Sequence, residues 1–152
     1  MKTNKKKAVI FDVDGTLLNT SAGVLASAKH AIREFGFPIP DDATLESFIG
    51  PPIQNSFASH FGLEGETLDA MSLCFRNHYK EQELYNAHPY EGLLDLFKHL
   101  CSQGILVGIA TNKRKDYALD IVKYFGFADF ADSIHGSDFG GKLPKADIIR
   151  AA

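Results

Sequence analysis

Apolar residues follow two different periods along this chain, and the change of period divides it into three stretches. The run Ala8–Phe11 is short, apolar and rich in strand formers, which is typical of a strand buried on both faces of a parallel sheet. Between about 17 and 88 there is no strand signal, and apolar residues recur at helical spacing. After Gly92, helix and strand signals alternate again.

Several helix signals fill the middle stretch. Thr20 or Ser21 is a suitable N-cap for a first helix that Gly36 closes. Further helices are predicted over about 42–49, 53–61 and 67–84, with a break at the Gly-Pro-Pro run 50–52. We interpret residues 20–87 as an inserted all-helical cap with hinges near 18–21 and 86–91. The alternative is that these helices simply cover the sheet.

The last stretch predicts crossovers from helix to strand. An amphipathic helix after Gly92 ends at Gly104, and a buried strand over 105–110 follows it. A helix over 115–125, a weaker strand over 132–136 and the start of a helix at 145 complete the pattern. Strands separated by such helices indicate right-handed crossovers. We therefore predict an α/β fold with a Rossmann-like parallel-sheet core formed by residues 1–19 and 88–152.

Composition narrows the classes of partner and the compartment. The chain is 45% hydrophobic and 23% charged with a formal net charge of -3, and its only dense basic run is 5–7, so we expect no nucleic-acid partner. No membrane span or secretion signal is readable. Cys74 and Cys101 lack metal-ligand spacing, which indicates buried thiols in a reducing compartment. The prediction is a cytoplasmic protein.

Two carboxylates follow the first strand, in the run Ile10-Phe-Asp-Val-Asp-Gly-Thr16. Strand side chains alternate in direction and the chain turns just after Asp12, so Asp12 and Asp14 can both reach the carboxyl edge of the sheet, where open α/β folds bind ligands. A surface turn or a calcium loop is the alternative. An EF-hand loop needs Gly and Glu where this chain has Leu17 and Gly23, which argues against calcium.

Together with Ala110-Thr-Asn112 and a lysine near 142–145, this run resembles the haloacid dehalogenase-like hydrolase superfamily. Phe48-Ile-Gly-Pro-Pro-Ile53, Tyr90-Glu-Gly92 and Ala110-Thr-Asn-Lys113 are similar to its phosphoglycolate phosphatase-like branch, which carries a helical cap inserted after the first strand. The resemblance covers essentially the whole chain.

The resemblance implies a role for each residue of the acidic loop. Asp12 would be the nucleophile, because an acyl phosphate is reactive enough to be hydrolysed again. Asp12 through its carboxylate and Asp14 through its main-chain carbonyl would bind Mg²⁺, which a dianionic phosphate needs beside carboxylates. Asp14 would protonate the leaving group and later take a proton from water. Gly15 permits the tight turn and lies where substrate binds.

Candidate phosphate-binding residues follow the later strands. The Thr111 hydroxyl and the Asn112 amide can donate hydrogen bonds to phosphoryl oxygens, although a Thr-Asn pair in this position is more often a helix cap. The run 113–115 adds positive potential or is simply an exposed helix start. A lysine is expected to offset the charge of nucleophile and phosphate, and we favour Lys145 over Lys142 because the family carries its lysine at a helix start.

One element of the family pattern is missing before Ala152. The pattern continues with a further strand and an acidic pair that completes the metal shell. We therefore expect the 152 residues to belong to a longer chain, to leave an apolar edge beside the first strand, and to bind Mg²⁺ poorly on their own.

These observations predict a Mg²⁺-dependent phosphatase that hydrolyses a small phosphorylated metabolite through an aspartyl-phosphate intermediate. Two alternatives stay open. A sugar phosphomutase would return the phosphoryl group instead of releasing it, and a truncated, non-catalytic member of the family would serve as a binding domain.

Overall fold

The computed structural model describes residues 7–140 and 142–152. The chain divides into two compact units, a core unit of Met1–Leu18 and Pro89–Ala152 and a helical unit of Asn19–His88. The strands are β1 (Ala8–Phe11), β2 (Leu18–Asn19), β3 (His88–Pro89), β4 (Leu106–Arg114) and β5 (Ser133–Ser137). The helices are α1 (Ser21–Glu34), α2 (Asp42–Glu46), α3 (Ile53–Phe61), α4 (Gly65–His78), α5 (Leu93–Ser102), α6 (Lys115–Tyr124) and α7 (Lys145–Ala151). Within the described ranges, none of these helices is long and apolar enough to cross a membrane.

The core unit is built on a parallel three-stranded sheet with the order β1-β4-β5. β1 pairs with β4 from Ala8 opposite Leu106 to Phe11 opposite Ile109. α5 precedes β4, and α6 connects β4 to β5, so helices alternate with parallel strands as a Rossmann-like fold requires. The predicted α/β fold class is confirmed.

A bulge interrupts the pairing of β4 with β5. The two strands pair regularly as far as Ala110 opposite His135, and pairing resumes at Arg114 opposite Ser137. β4 thus advances from 110 to 114 while β5 advances only from 135 to 137, so β4 carries surplus residues. The strand was predicted to end at 110. It continues to Arg114 because backbone pairing restarts after the bulge, and the residues at 111–113 lie in the strand itself.

Aromatic side chains fill the interior of the core unit. Phe97 is fully buried, with its ring centroid 4.8 Å from that of Phe11 and 5.0 Å from that of Phe127. Burying each such side chain stabilises the fold by roughly 1.5–3 kcal/mol. β1 is less enclosed than predicted. It forms an edge of the described sheet and pairs there with β4 alone, and Ile10 is 42% exposed, so the prediction of a strand buried on both faces is wrong.

The helical unit has its own apolar core, in which Leu45, Phe57 and Met71 from three different helices are almost completely buried. Two details differ from the predicted pattern. α4 ends at His78 and the chain continues as a π-helical turn, Tyr79–Glu83, where one long α-helix was expected. Leu18–Asn19 also pairs with His88–Pro89 in a two-stranded ribbon where no strand was predicted, since two-residue strands leave no periodic signal.

Neither cysteine is buried as expected. Both are free thiols, Cys74 half-buried and Cys101 exposed. Partial burial raises the pKa of the Cys74 thiol, and the Cys101 thiol donates a hydrogen bond to the carbonyl oxygen of Phe130 at 3.2 Å.

Gly136 provides a test of how tightly β5 packs on the end of β4. A Cβ at this position would lie 2.6 Å from Lys115 Cα and 2.7 Å from Lys113 O, which are backbone atoms that cannot swing aside. We expect Gly136→Ala to lower the free energy of unfolding by about 1–3 kcal/mol, as overpacking does. Urea unfolding followed by circular dichroism measures this.

Gly140→Ala is the matched control, because a Cβ there meets only ordinary contacts of 3.5 Å and more, from side-chain atoms. A Gly136→Ala variant as stable as Gly140→Ala would contradict the packing described here.

Candidate active site

The acidic loop after β1 is folded around a buried valine. Val13 is fully buried, and its carbonyl oxygen accepts hydrogen bonds from the amides of Thr16, Leu17 and Leu18 at 3.0–3.2 Å. Gly15 has φ +73°, a left-handed conformation that glycine adopts without strain, and its amide donates to Leu18 O at 2.9 Å. Val13 therefore anchors the loop between the two aspartates.

Asp12 forms an ion pair with Lys145. The Lys145 Nζ lies 2.8 Å from Asp12 Oδ2 and also donates to the Ala110 carbonyl oxygen at 2.8 Å. The second oxygen, Asp12 Oδ1, accepts the amide of Val13 at 2.7 Å. The two side chains remain 31% and 39% exposed, so a ligand can reach them. Lys142, the alternative lysine, is exposed, and its backbone amide bonds to Asp138.

Asp14 forms a second, more deeply buried ion pair. Lys113 Nζ lies 3.1 Å from Asp14 Oδ1, and the side chains are only 7% and 11% exposed. The prediction had considered the run 113–115 as general positive potential or as an exposed helix start. Lys113 is instead a strand residue in the bulged end of β4, and a bulge leaves no periodic signal from which its pairing with Asp14 could be predicted.

Thr111 and Asn112 lie in the bulged part of β4. Thr111 is fully buried, and its Oγ1 accepts the amide of Lys113 at 3.1 Å. The alternative that this pair caps a helix is wrong, because the N-cap position of α6 is occupied by Arg114. Asn112 is half-buried. Their predicted bonds to phosphoryl oxygens stay a prediction.

One further residue of the site had no sequence prediction. Asp138 follows β5 directly, and its Oδ1 accepts the amides of Lys142 at 2.8 Å and Leu143 at 2.9 Å and the Ser137 hydroxyl at 3.1 Å. These donors hold the pKa of Asp138 below its usual value, the Leu143 amide most strongly. The Gly-Gly pair at 140–141 indicates a turn after β5, but it does not single out Asp138.

The site as a whole contains two carboxylates and two ammonium groups, so its charges balance. Asp12 pairs with Lys145 and Asp14 with Lys113, each at about hydrogen-bond distance. Among residues 7–140 and 142–152 there is no group of three or more His, Cys, Asp or Glu side chains arranged to hold a metal ion. The arrangement presents one accessible carboxylate beside an ammonium group, with a second carboxylate close to it in sequence.

Residues 9–152 match the family of haloacid dehalogenase-like hydrolases, and the chain belongs to this family. The resemblance seen in the sequence is thereby confirmed.

Three relatives illustrate the range of the family. A 5'-nucleotidase of Pseudomonas aeruginosa is 32% identical over 93% of this chain and 65% of its own length. The tyrosine-protein kinase PtkA of Mycobacterium tuberculosis is 29% identical over 95% of this chain and 49% of its own length. The crystal structure of a predicted phosphatase from Clostridium acetobutylicum superimposes with a TM-score of 0.89 at 31% identity, covering 96% of this chain and 68% of that one. The chain thus spans about half to two thirds of the length of these curated relatives.

The buried pair of Asp14 and Lys113 makes a prediction about stability. Replacing Lys113 by Met removes the ammonium and leaves a nearly buried carboxylate, so we expect a loss of about 3 kcal/mol in the free energy of unfolding at neutral pH. A double-mutant cycle with Asp14→Asn, measured by chemical denaturation, isolates the pair interaction.

Lys115→Met is the control, since Lys115 is exposed at the start of α6 and its loss should change stability by less than about 0.5 kcal/mol. Equal losses for the two lysines would show that Asp14 does not depend on Lys113.

Proposed function

We propose that the protein is a Mg²⁺-dependent phosphatase of small phosphorylated metabolites that works through a phosphoaspartate on Asp12. The observation that supports this most strongly is the Asp12–Lys145 pair at 2.8 Å, formed by residues from opposite ends of the chain. A half-exposed carboxylate beside a fixed ammonium group is suited to attack an anionic phosphoryl group. The name of the Pseudomonas aeruginosa relative, a 5'-nucleotidase, supports a phosphomonoester substrate.

In the first half-reaction, an oxygen of Asp12 attacks the phosphorus atom. A bond forms between that oxygen and phosphorus, and the bond between phosphorus and the ester oxygen breaks. Asp14, which enters this step protonated, donates its proton to the leaving oxygen, which departs as an alcohol, and the carboxylate that this leaves is the form that pairs with Lys113. Lys145 offsets the negative charge of Asp12 and of the phosphoryl group in the transition state.

In the second half-reaction, a water molecule attacks the phosphorus of the phosphoaspartate. Asp14, now a carboxylate, takes a proton from this water, and the bond between phosphorus and Asp12 breaks to release inorganic phosphate. Lys113 holds the Asp14 carboxylate in place for this step through the ion pair at 3.1 Å. Both aspartates return to their starting states.

The residues of the acidic loop fit Mg²⁺. The Asp12 carboxylate and the Asp14 main-chain carbonyl would hold the ion, and both are hard oxygen donors of the kind that Mg²⁺ prefers. Water and substrate phosphate would supply further ligands, as they commonly do for Mg²⁺. When bound, the ion neutralises charge on the phosphate that would otherwise be repelled by the carboxylates.

The proposed function predicts that Asp12→Asn releases phosphate at least about a thousandfold more slowly than the parent, because a carboxamide is a poor nucleophile. The measurement is Mg²⁺-dependent phosphate release from a panel of phosphorylated metabolites that includes nucleoside monophosphates. Acid quenching of the parent with a labelled phosphoryl group should also trap the label on the peptide that contains Asp12.

Asp95→Asn serves as the control, because Asp95 is a strongly exposed residue of α5 that pairs with Lys98. Parent-like phosphate release by Asp12→Asn would exclude the mechanism. Transfer of the label to a second sugar hydroxyl without phosphate release would indicate a phosphomutase.

A further inference from the structure

Lys145 reaches Asp12 from the start of α7, and the segment before α7 contributes to where this helix begins. Lys145 is the first residue of α7, and it follows Pro144 at the N-cap position. Pro144 has no amide hydrogen, so its nitrogen cannot anchor the helix start by a hydrogen bond. The buried Ile148 and the hydrogen bond from Ser133 Oγ to Ala152 O hold the body of the helix, so the position of its first residue, Lys145, depends in addition on how the residues just before Pro144 are held.

Asp138 holds those residues from the end of β5. One carboxylate oxygen, Oδ1, accepts the amides of both Lys142 and Leu143 at 2.8 and 2.9 Å. The Ser137 hydroxyl, almost fully buried, donates to the same oxygen at 3.1 Å and so orients the carboxylate from the sheet side. Leu143 is two residues before Lys145, and this short connection leaves little freedom between the anchored amides and the lysine.

A second contact, made by Phe139, holds the chain that follows β5 against the end of β4. The Arg114 guanidinium carbon lies 4.2 Å from the centroid of the Phe139 ring and 4.3 Å from that of Tyr117, so the cation is sandwiched between two rings. Arg114 also donates two hydrogen bonds to Asp116, which hold the pKa of that carboxyl group below its usual value. Phe139 is 71% exposed, and its burial therefore cannot account for its position.

We propose that Asp138 is a positioning residue for the active site: by binding the Lys142 and Leu143 amides it keeps Lys145 on Asp12. The contact between Arg114 and the Phe139 ring also stabilises the chain between β5 and α7. The catalytic consequence rests on the proposed phosphatase function, whereas the structural consequence, the location of the Lys145 ammonium, does not.

Two variants distinguish the role of the Asp138 acceptor oxygen from the role of its negative charge. Asp138→Ala removes the acceptor, whereas Asp138→Asn keeps one oxygen able to accept both amides. The readout is the acetylation rate of the Lys145 amine by acetic anhydride, located by tandem mass spectrometry and normalised to the exposed Lys123 of α6 in the same sample. We expect Asp138→Ala to raise this rate about threefold or more through loss of the pair with Asp12, and Asp138→Asn to stay close to the parent.

The rate of phosphate release is a second, independent measurement. For Asp138→Ala we expect kcat to fall about tenfold with KM little changed, and for Asp138→Asn we expect recovery of most of kcat. Faster acetylation of Lys145 in a protein whose parent form releases no phosphate would support the positioning role and contradict the proposed function.

Asp95→Ala is the matched control, an exposed aspartate of the same unit far along the chain. Parent-like acetylation of Lys145 in Asp138→Ala would overturn the proposal, and so would equal acetylation in the Ala and Asn variants. If Asp138→Ala does not fold, Phe139→Ala tests the contact with Arg114 at an exposed position, and there an unchanged acetylation rate would also count against the proposal.

Discussion

The candidate active site depends on the pairing of two carboxylates, two residues apart on a tight loop, with two ammonium groups. Asp12 and Asp14 flank Val13, whose buried side chain holds the loop against the core. The cations come from elsewhere in the chain, Lys145 for Asp12 and Lys113 for Asp14. The sheet order β1-β4-β5 makes this possible, because parallel strands end at one edge and the segments that follow them meet there.

The two ion pairs differ in burial, and this difference suits the different tasks proposed for the two acids. The Asp14–Lys113 pair is nearly closed to solvent, so its attraction is weakly screened and its loss is costly. The Asp12–Lys145 pair is about one-third exposed, so solvent screens it and it contributes less to stability. The buried pair therefore contributes more to stability and also holds Asp14 in place for the proposed proton transfers, whereas the Asp12–Lys145 pair is the more open of the two to a substrate.

The fold class and the neighbourhood of the aspartates were readable in the sequence because both depend on local patterns. The apolar run before Asp12, the glycine at 15 and the alternation of helix with strand after Gly92 each leave a short-range signal. The contacts of Lys113 and Asp138 left no short-range signal in the sequence from which they could be predicted. They depend on a bulge in β4 and on a hydrogen-bonded turn after β5, and both arise from pairing between strands rather than from any one segment. For the same reason the exposure of Ile10 could not be read from its apolar neighbours, since it depends on which strands lie beside β1.

The bulge in β4 divides the strand into a part that pairs within the sheet and a part whose residues lie at the candidate active site. The strand is paired with β1 as far as Ile109 and with β5 as far as Ala110, and at Arg114 its pairing with Ser137 starts afresh. The residues between these points are therefore not tied to the pleat of the sheet. The bulge therefore lets the side chains of residues 111–113 take directions that a regular strand would not allow, while the paired part of the sheet keeps its register.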